Sequence, residues 1–253
     1  MSSKWRYIPP MEASGAMQMA IDRYLLEQHR QGKHPPTLRL YTWQPAAISL
    51  GYHQSEYPDS WHDLTWQGQP LDIIRRPTGG RAVLHQGDLT YAIVTSIAPG
   101  KRLEVYQHIC QFLITGWRSL GVDLNYGIAT TEYIQQQNCF ATATGADLLT
   151  TAGNKVIGSA QLRRGKALLQ HGSMILNTDK QLYRQMFETD LAQNLCEVIP
   201  QQSDPLTRDP QSDLTAKIIE RLVQAASAIF KIDLVKQPLS TKEWQDIANT
   251  RVE

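Results

Sequence analysis

Two side chains stand out as able to do chemistry. Cys139 lies in the polar stretch Asn138-Cys139-Phe140, and Lys155 opens the run Val156-Ile157-Gly158-Ser159-Ala160, whose composition suits an interior strand. A cysteine in a polar loop is open to reaction, whereas an incidental buried thiol is the plainer alternative. A lysine entering an apolar run needs an electrostatic partner, unless it sits at the strand's solvated mouth. The other thiols read differently: Cys110 follows Ile109 on the apolar side of a helix and Cys196 lies near Leu195 and Val198, so both are expected to be structural.

The second unusual segment is Arg75-Arg76-Pro77-Thr78-Gly79-Gly80-Arg81-Ala82-Val83-Leu84-His85-Gln86-Gly87-Asp88. Adjacent glycines let backbone amides approach a ligand, and three arginines can neutralise phosphate or carboxylate; a tight turn with solvated charges is the alternative. The segment fits neither the Walker pattern nor the dinucleotide fingerprint. His85 and His171 match no HExxH or Cys/His cluster, so no metal is expected. Ser159 and Ser173 lack the Gly-x-Ser-x-Gly elbow of a serine hydrolase.

The elements that must position these residues are mixed. A helix is predicted from a Ser14 cap, with Met17, Ile21, Tyr24 and Leu25 on one face and a stop at Gly32. Strands are predicted at Leu38-Tyr41, Ala47-Leu50, Asp72-Arg75 and Leu89-Thr95, with connections short enough to favour antiparallel pairing. A second helix spans about Leu103 to Leu120. Strands at Asp147-Thr150, Lys155-Ala160 and Ala167-Ile175 form a three-stranded meander. Residues 198–212 read as a loop, followed by a C-terminal helical extension over 213–253 with helices from Ser212 to Phe230 and after Ser240. One domain over 1–253 is expected.

Composition narrows the function classes. The 253 residues carry 25 Lys+Arg against 24 Asp+Glu and are 42% hydrophobic, which fits an ordinary globular chain. Near-neutral charge argues against a general nucleic-acid or membrane-surface binder. Three cysteines without a CxxC pair suggest a reducing compartment, and neither a signal peptide nor a membrane-spanning run is read, so a cytoplasmic protein is expected.

Several ordered motifs together resemble the lipoate-protein ligase and octanoyltransferase family, which shares its catalytic domain with biotin protein ligases. They are Leu38-Arg39-Leu40-Tyr41-Thr42-Trp43-Gln44-Pro45, Ser49-Leu50-Gly51-Tyr52-His53-Gln54, Arg75 to Val83, Lys155-Val156-Ile157-Gly158-Ser159-Ala160-Gln161 and Gln170-His171-Gly172-Ser173. The resemblance runs from about Trp5 to Glu188. It implies an α+β fold like class II aminoacyl-tRNA synthetases and biotin synthetase, with a mainly antiparallel sheet packed by helices. The biotin ligases are disfavoured, because Arg76-Pro77-Thr78-Gly79-Gly80-Arg81 replaces their Gly-Arg-Gly-Arg type of loop. Cys139-Phe140 ahead of Lys155 looks like the cysteine-dependent octanoyltransferase subgroup, although Ala141-Thr142-Ala143-Thr144-Gly145-Ala146-Asp147 is less bulky than that subgroup's usual stretch.

The resemblance implies that Cys139 takes an octanoyl or lipoyl group from acyl carrier protein as a thioester, and that a lysine of an apo lipoyl domain then receives it. Such domains belong to the glycine cleavage H protein or 2-oxoacid dehydrogenase subunits. No cofactor is expected. A thiol of pKa near 8.5 is only a few per cent ionised at neutral pH, and an ammonium roughly 4 Å away could favour thiolate by up to about 4 kcal/mol at an effective dielectric near 20. Lys155 is assigned that role. Arg76, Thr78, Gly79, Gly80, Arg81, His85, Gly158, Ser159, Ala160 and His171 are expected to bind substrate, with Val83, Leu84 and Ile157 as walls of an alkyl slot. Arg75, Arg76, Arg163, Arg164 and Lys166 could steer acidic carriers, or simply be solvated charge. An ATP-dependent lipoate ligase, a lipoyl amidotransferase and a non-catalytic carrier-domain binder are the competing readings. No C-terminal accessory domain like that of many ligases is expected, which weakens the first of these without excluding it, because that domain can be a separate chain.

Overall fold

Strict alternation along the central strands builds the molecule. In a computed structural model describing residues 3–127, 145–200 and 210–249, successive side chains of each strand point to opposite faces of one sheet and feed two different cores. The elements run β1 (Ser3–Ala13), α1 (Gly15–Arg30), β2 (Thr37–Trp43), β3 (Ala47–Leu50), β4 (Thr65–Trp66), β5 (Gln69–Pro70), β6 (Asp72–Arg75), β7 (Val83–His85), β8 (Asp88–Ser96) and α2 (Arg102–Arg118). They continue β9 (Leu124–Tyr126), β10 (Leu148–Thr150), β11 (Lys155–Arg164), β12 (Ala167–Ile175), α3 (Lys180–Phe187), α4 (Pro210–Phe230), β13 (Ile232–Lys236) and α5 (Thr241–Asn249).

The large sheet has the order β13-β1-β2-β8-β12-β11-β10-β9, and a smaller one has β6-β3-β7. From β2 to β9 every pairing is antiparallel. The expectation of antiparallel pairing among the predicted strands fails at one place, where β3 runs parallel to β6; the two unpredicted strands add parallel pairs, β1 with β2 and β1 with β13. Each parallel pair is joined by a longer connection, and the β1 to β2 crossover is α1 itself. The strand β1 is absent from the predicted elements, and its Pro9-Pro10 pair cannot donate to a ladder. A register shift between Ile8 and Met11 lets the prolines pass without donating.

Leu38, Leu40, Leu89, Tyr91, Ile93, Leu168 and Met174 pack toward α2 and α4. Gly116 of α2 permits that contact, since a Cβ there would meet Leu222 Cδ2 at 2.7 Å. On the other face Tyr41, Trp43, Ala92, Val94 and Leu169 pack with α1, which Ser14 caps by accepting from the Met17 amide at 3.4 Å. The small sheet and α3 share Ile48, Leu84, Leu182 and Met186. At the far edge Arg6 donates to both Glu243 oxygens, at 2.6 and 3.0 Å, tying α5 to β1. No described helix is long and apolar enough to cross a membrane.

Candidate active site

The two sheets enclose a cavity of about 550 Å³, mouth included. Tyr41 and Trp43 of β2, Thr90 of β8, and His171 and Ser173 of β12 border it from the large sheet. Ser49 of β3 and Val83 and His85 of β7 face them from the small one. The β11 floor is nearly bare. Gly158 pairs with Ser173, and Ala160 with His171, so beyond Lys155 at its start the side chains this strand turns to the cavity amount to one α-hydrogen and one methyl.

Lys155 and Asp147 border the same cavity. The Lys155 ammonium lies 2.8 Å from Asp147 Oδ2, with each side chain 4% exposed. Asp147 is therefore the electrostatic partner that a lysine entering an apolar run requires. Cys139 lies outside the described residues.

The glycine pair forms the cavity's roof. Gly79 and Gly80 border it, and Gly80 adopts φ +102°, open to few residues with a side chain. Arg76 braces this loop from inside. Its guanidinium donates to the backbone oxygens of Ser49, Gly79 and Arg81 at 2.7, 2.9 and 2.6 Å. Only 6% exposed, Arg76 belongs to no surface patch. Arg75 is committed likewise, to the Gly51, Tyr52 and Gln54 carbonyls. Of the basic residues expected to steer a partner, Arg164 and Lys166 are exposed at the β11–β12 turn.

Thr78 is buried beneath the roof and bonded at 2.7 Å to His171 Nε2, whose Nδ1 meets Asp22 Oδ2 at 2.9 Å. His85, expected to bind substrate, lines the cavity from within its wall and is 4% exposed. Its Nδ1 reaches Asp88 Oδ2 and its Nε2 reaches Ser49 Oγ, both at 2.8 Å. Burial pushes its pKa down, despite Asp88, and favours neutral imidazole. The Ser159 backbone borders the cavity, while its hydroxyl turns to the α2 side and bonds Tyr91 at 2.7 Å. Two expected walls are corrected by the same parity: Ile157 packs in the α2 core and Leu84 in the α3 core, and of the three only Val83 lines the cavity.

Sequence reasoning missed Asp22, Ser49, Asp88 and Asp147. His85-Gln86-Gly87-Asp88 carried a local signal, because Gly87 at φ +66° turns the chain and returns Asp88 to the imidazole. Asp22 also left a trace, as a carboxylate four residues after Gln18 within the buried stripe of α1. Asp147 meets Lys155 across the β10–β11 turn.

The catalytic-domain model described as lipoyl protein ligase A/B matches residues 14–227. A protein named octanoyltransferase LipM from Brevibacillus brevis is 38% identical over 190 residues, covering 71% of this chain and 68% of that protein. Another of that name, from Carboxydothermus hydrogenoformans, is 34% identical over 248 residues, covering 94% and 91%. Among solved structures, lipoate-protein ligase A with bound ATP superposes with a TM-score of 0.75 at 19% identity, covering 98% of this chain and 93% of that one. At that identity the likeness concerns fold, and it agrees with the architecture expected from the sequence motifs.

Proposed function

Since the chain belongs to the lipoyl protein ligase A/B catalytic-domain family, we propose that it is an acyltransferase that moves an octanoyl group from acyl carrier protein through Cys139 to a lysine of an apo lipoyl domain. The observation that carries this reading is the inter-sheet cavity, with a bare Gly158 and Ala160 floor and the Lys155 ammonium at its border. Burying the seven carbons beyond the carbonyl of an octanoyl chain contributes about 6 kcal/mol before ordering costs. The relatives named octanoyltransferase favour the eight-carbon cargo over a free-acid route.

In the first step the Cys139 thiolate attacks the thioester carbonyl carbon. The bond to the carrier's sulfur breaks, the acyl–Sγ bond forms, and the departing thiolate takes a proton from water. In the second step the neutral amine of the acceptor lysine attacks the same carbon, loses a proton to solvent and releases Cys139 as thiolate. Thioester exchange is close to neutral and amide formation from a thioester runs downhill, so acyl activation by ATP is unnecessary. Lys155 is assigned the role of favouring the ionised thiol, with Asp147 fixing the ammonium and offsetting part of its potential.

The test is incubation with octanoyl carrier protein followed by intact-mass measurement. The expected result is a thioester adduct that is absent from Cys139→Ala and is discharged by an apo lipoyl domain. Formation of acyl-AMP from free octanoate or lipoate and ATP, unaffected by Cys139→Ala, would establish ligation instead. Tight carrier binding with neither product would leave a binding protein.

A further inference from the structure

The cavity wall carries more polar groups than an alkyl chain would meet favourably, yet their hydrogens are directed elsewhere. Asp88 Oδ2 collects three donors: His85 Nδ1 at 2.8 Å, Thr90 Oγ1 at 3.0 Å and Ser173 Oγ at 2.6 Å. A carboxylate only accepts, so the His85 proton is on Nδ1 and Nε2 is left as an acceptor. The Ser49 hydroxyl fills that acceptor at 2.8 Å, while its own oxygen receives Arg76 NH1 at 3.2 Å. Trp43 Nε1 donates to Thr90 Oγ1 at 2.8 Å, and the Trp43 ring stacks on His85 with centroids 3.8 Å apart.

Asp22 organises the second imidazole in the same way. It accepts from His171 Nδ1 at 2.9 Å, Tyr41 Oη at 3.0 Å and Arg39 NH1 at 3.0 Å, and the Thr78 hydroxyl donates to His171 Nε2 at 2.7 Å. Of the described buried atoms that lack a partner, Arg39 Nε belongs to the Asp22 cluster, away from the cavity lining, and none belongs to the His85–Asp88 cluster. Away from the Lys155–Asp147 border, the His85 wall therefore turns ring faces, methyls and methylenes to the cavity. A group entering it finds no side-chain donor to spare in the His85–Asp88 cluster.

We propose that Asp88, acting through His85 and Ser49, makes the site selective for unsubstituted alkyl chains over chains that carry a hydroxyl. The inference rests on the acyl-transfer reading and names what that site rejects. A hydroxyl carried into the cavity loses its water and meets no side-chain donor to spare in the His85–Asp88 cluster, and the lone pairs left on Ser173 Oγ offset only part of that loss. Asp88 is a positioning residue here. It need not touch the chain, since its effect is to draw three hydrogens out of the cavity and fix the tautomer that leaves Ser49 pointing at a ring nitrogen.

The experiment compares octanoyl carrier protein with a set of donors carrying one hydroxyl at successive carbons, in wild type, Ser49→Ala and Asp88→Asn. Wild type is expected to favour octanoyl by roughly 100-fold in kcat/KM, the scale on which an apolar site rejects an added hydroxyl. Ser49→Ala leaves the His85 Nε2 acceptor bare beside a hydroxyl-sized gap. For at least one positional isomer the preference should then fall below about 10-fold, through a lower KM for the hydroxylated donor. Asp88→Asn should narrow it too, because a neutral amide cannot accept three donors. Calorimetric binding of octanoate and the matching hydroxyoctanoate to Ser49→Ala checks the shift without turnover. If wild type transfers octanoyl but both substrates fall equally in the folded variants, the selectivity role is wrong and the cluster only holds the fold. Equal use of both donors by wild type would overturn it as well. If wild type transfers no acyl group, the acyl-transfer reading itself fails.

Discussion

The Lys155 ammonium and the Asp147 carboxylate meet at 2.8 Å with side chains 4% exposed, so a buried ion pair stands at the edge of the cavity. Removing one partner strands the other charge in a poorly solvated place. Lys155→Met or Asp147→Leu should each lower stability by about 3–5 kcal/mol, and the double substitution should recover a substantial part of that loss. Urea unfolding of the two single variants and the double variant measures the coupling. Additive losses would mean that the pair does not act as a unit.

The described thiols differ sharply from a working nucleophile. Burial pushes Cys110 up to about 11, and burial with a nearby Glu197 pushes Cys196 up to about 11 as well. At pH 8 the thiolate fraction of such groups is on the order of 0.001. Native protein should therefore show one rapidly alkylated cysteine, Cys139, with the other two labelled only after unfolding. Peptide mapping of briefly alkylated protein decides it, and fast labelling at Cys110 would contradict the assignment.

Much of this arrangement was legible because its signals are local. The Ser14 cap, the Gly32 stop at φ +72° and the β10–β11–β12 meander each depend on neighbours within a few residues. The glycine pair and His171 were singled out and do border the cavity. What escaped was supplied from a distance: Asp22 reaches His171 from α1, and Ser49 reaches His85 from another strand. Parity also hid the difference between Ser159 and its neighbours, because only the pairing with Gly172 shows which way the hydroxyl turns. Arginines that read as a surface patch proved to be loop braces, since the carbonyls they satisfy belong to Gly51 and Ser49, many residues earlier.

Backbone contact between Gly51 and Gly80 sets the roof of the cavity. A Cβ on Gly51 would fall 1.9 Å from the Gly80 carbonyl oxygen. Gly51→Ala must therefore displace the glycine pair by an ångström or so, a shift that can cost roughly 100-fold in rate. Transfer should fall by that order while far-UV circular dichroism stays native. Unchanged kcat/KM would show that the roof's position is immaterial to the reaction.

Acid should loosen the junction between β1 and α5. Burial alone would raise the Glu243 carboxyl, but hydrogen bonds from Arg6 and Ser240 outweigh it and hold the pKa at about 2, below the ordinary 4.5. A depressed carboxyl adds stability that is present above the unfolded value and is lost as pH falls from about 4.5 toward 2. Glu243→Gln should cost about 2 kcal/mol at pH 7, allowing for partial solvent access, and almost nothing near pH 2. Denaturant midpoints across that window measure the convergence; parallel curves for the two proteins would rule out the linkage.

The bare β11 floor makes chain length adjustable at one position. Ala160 pairs with His171, and its methyl faces the cavity while Ser159 and Gln161 turn away. Ala160→Leu adds three carbons of bulk to that floor, displacing about three methylenes of a bound chain. At about 0.8 kcal/mol per buried methylene, octanoyl should lose about 2.4 kcal/mol, near 50-fold in kcat/KM, while a five-carbon donor that never reached the floor keeps its rate. A series of donors from four to ten carbons reads the optimum directly. It should move from eight carbons to about five, and an unmoved optimum would place the alkyl chain somewhere other than between the two sheets.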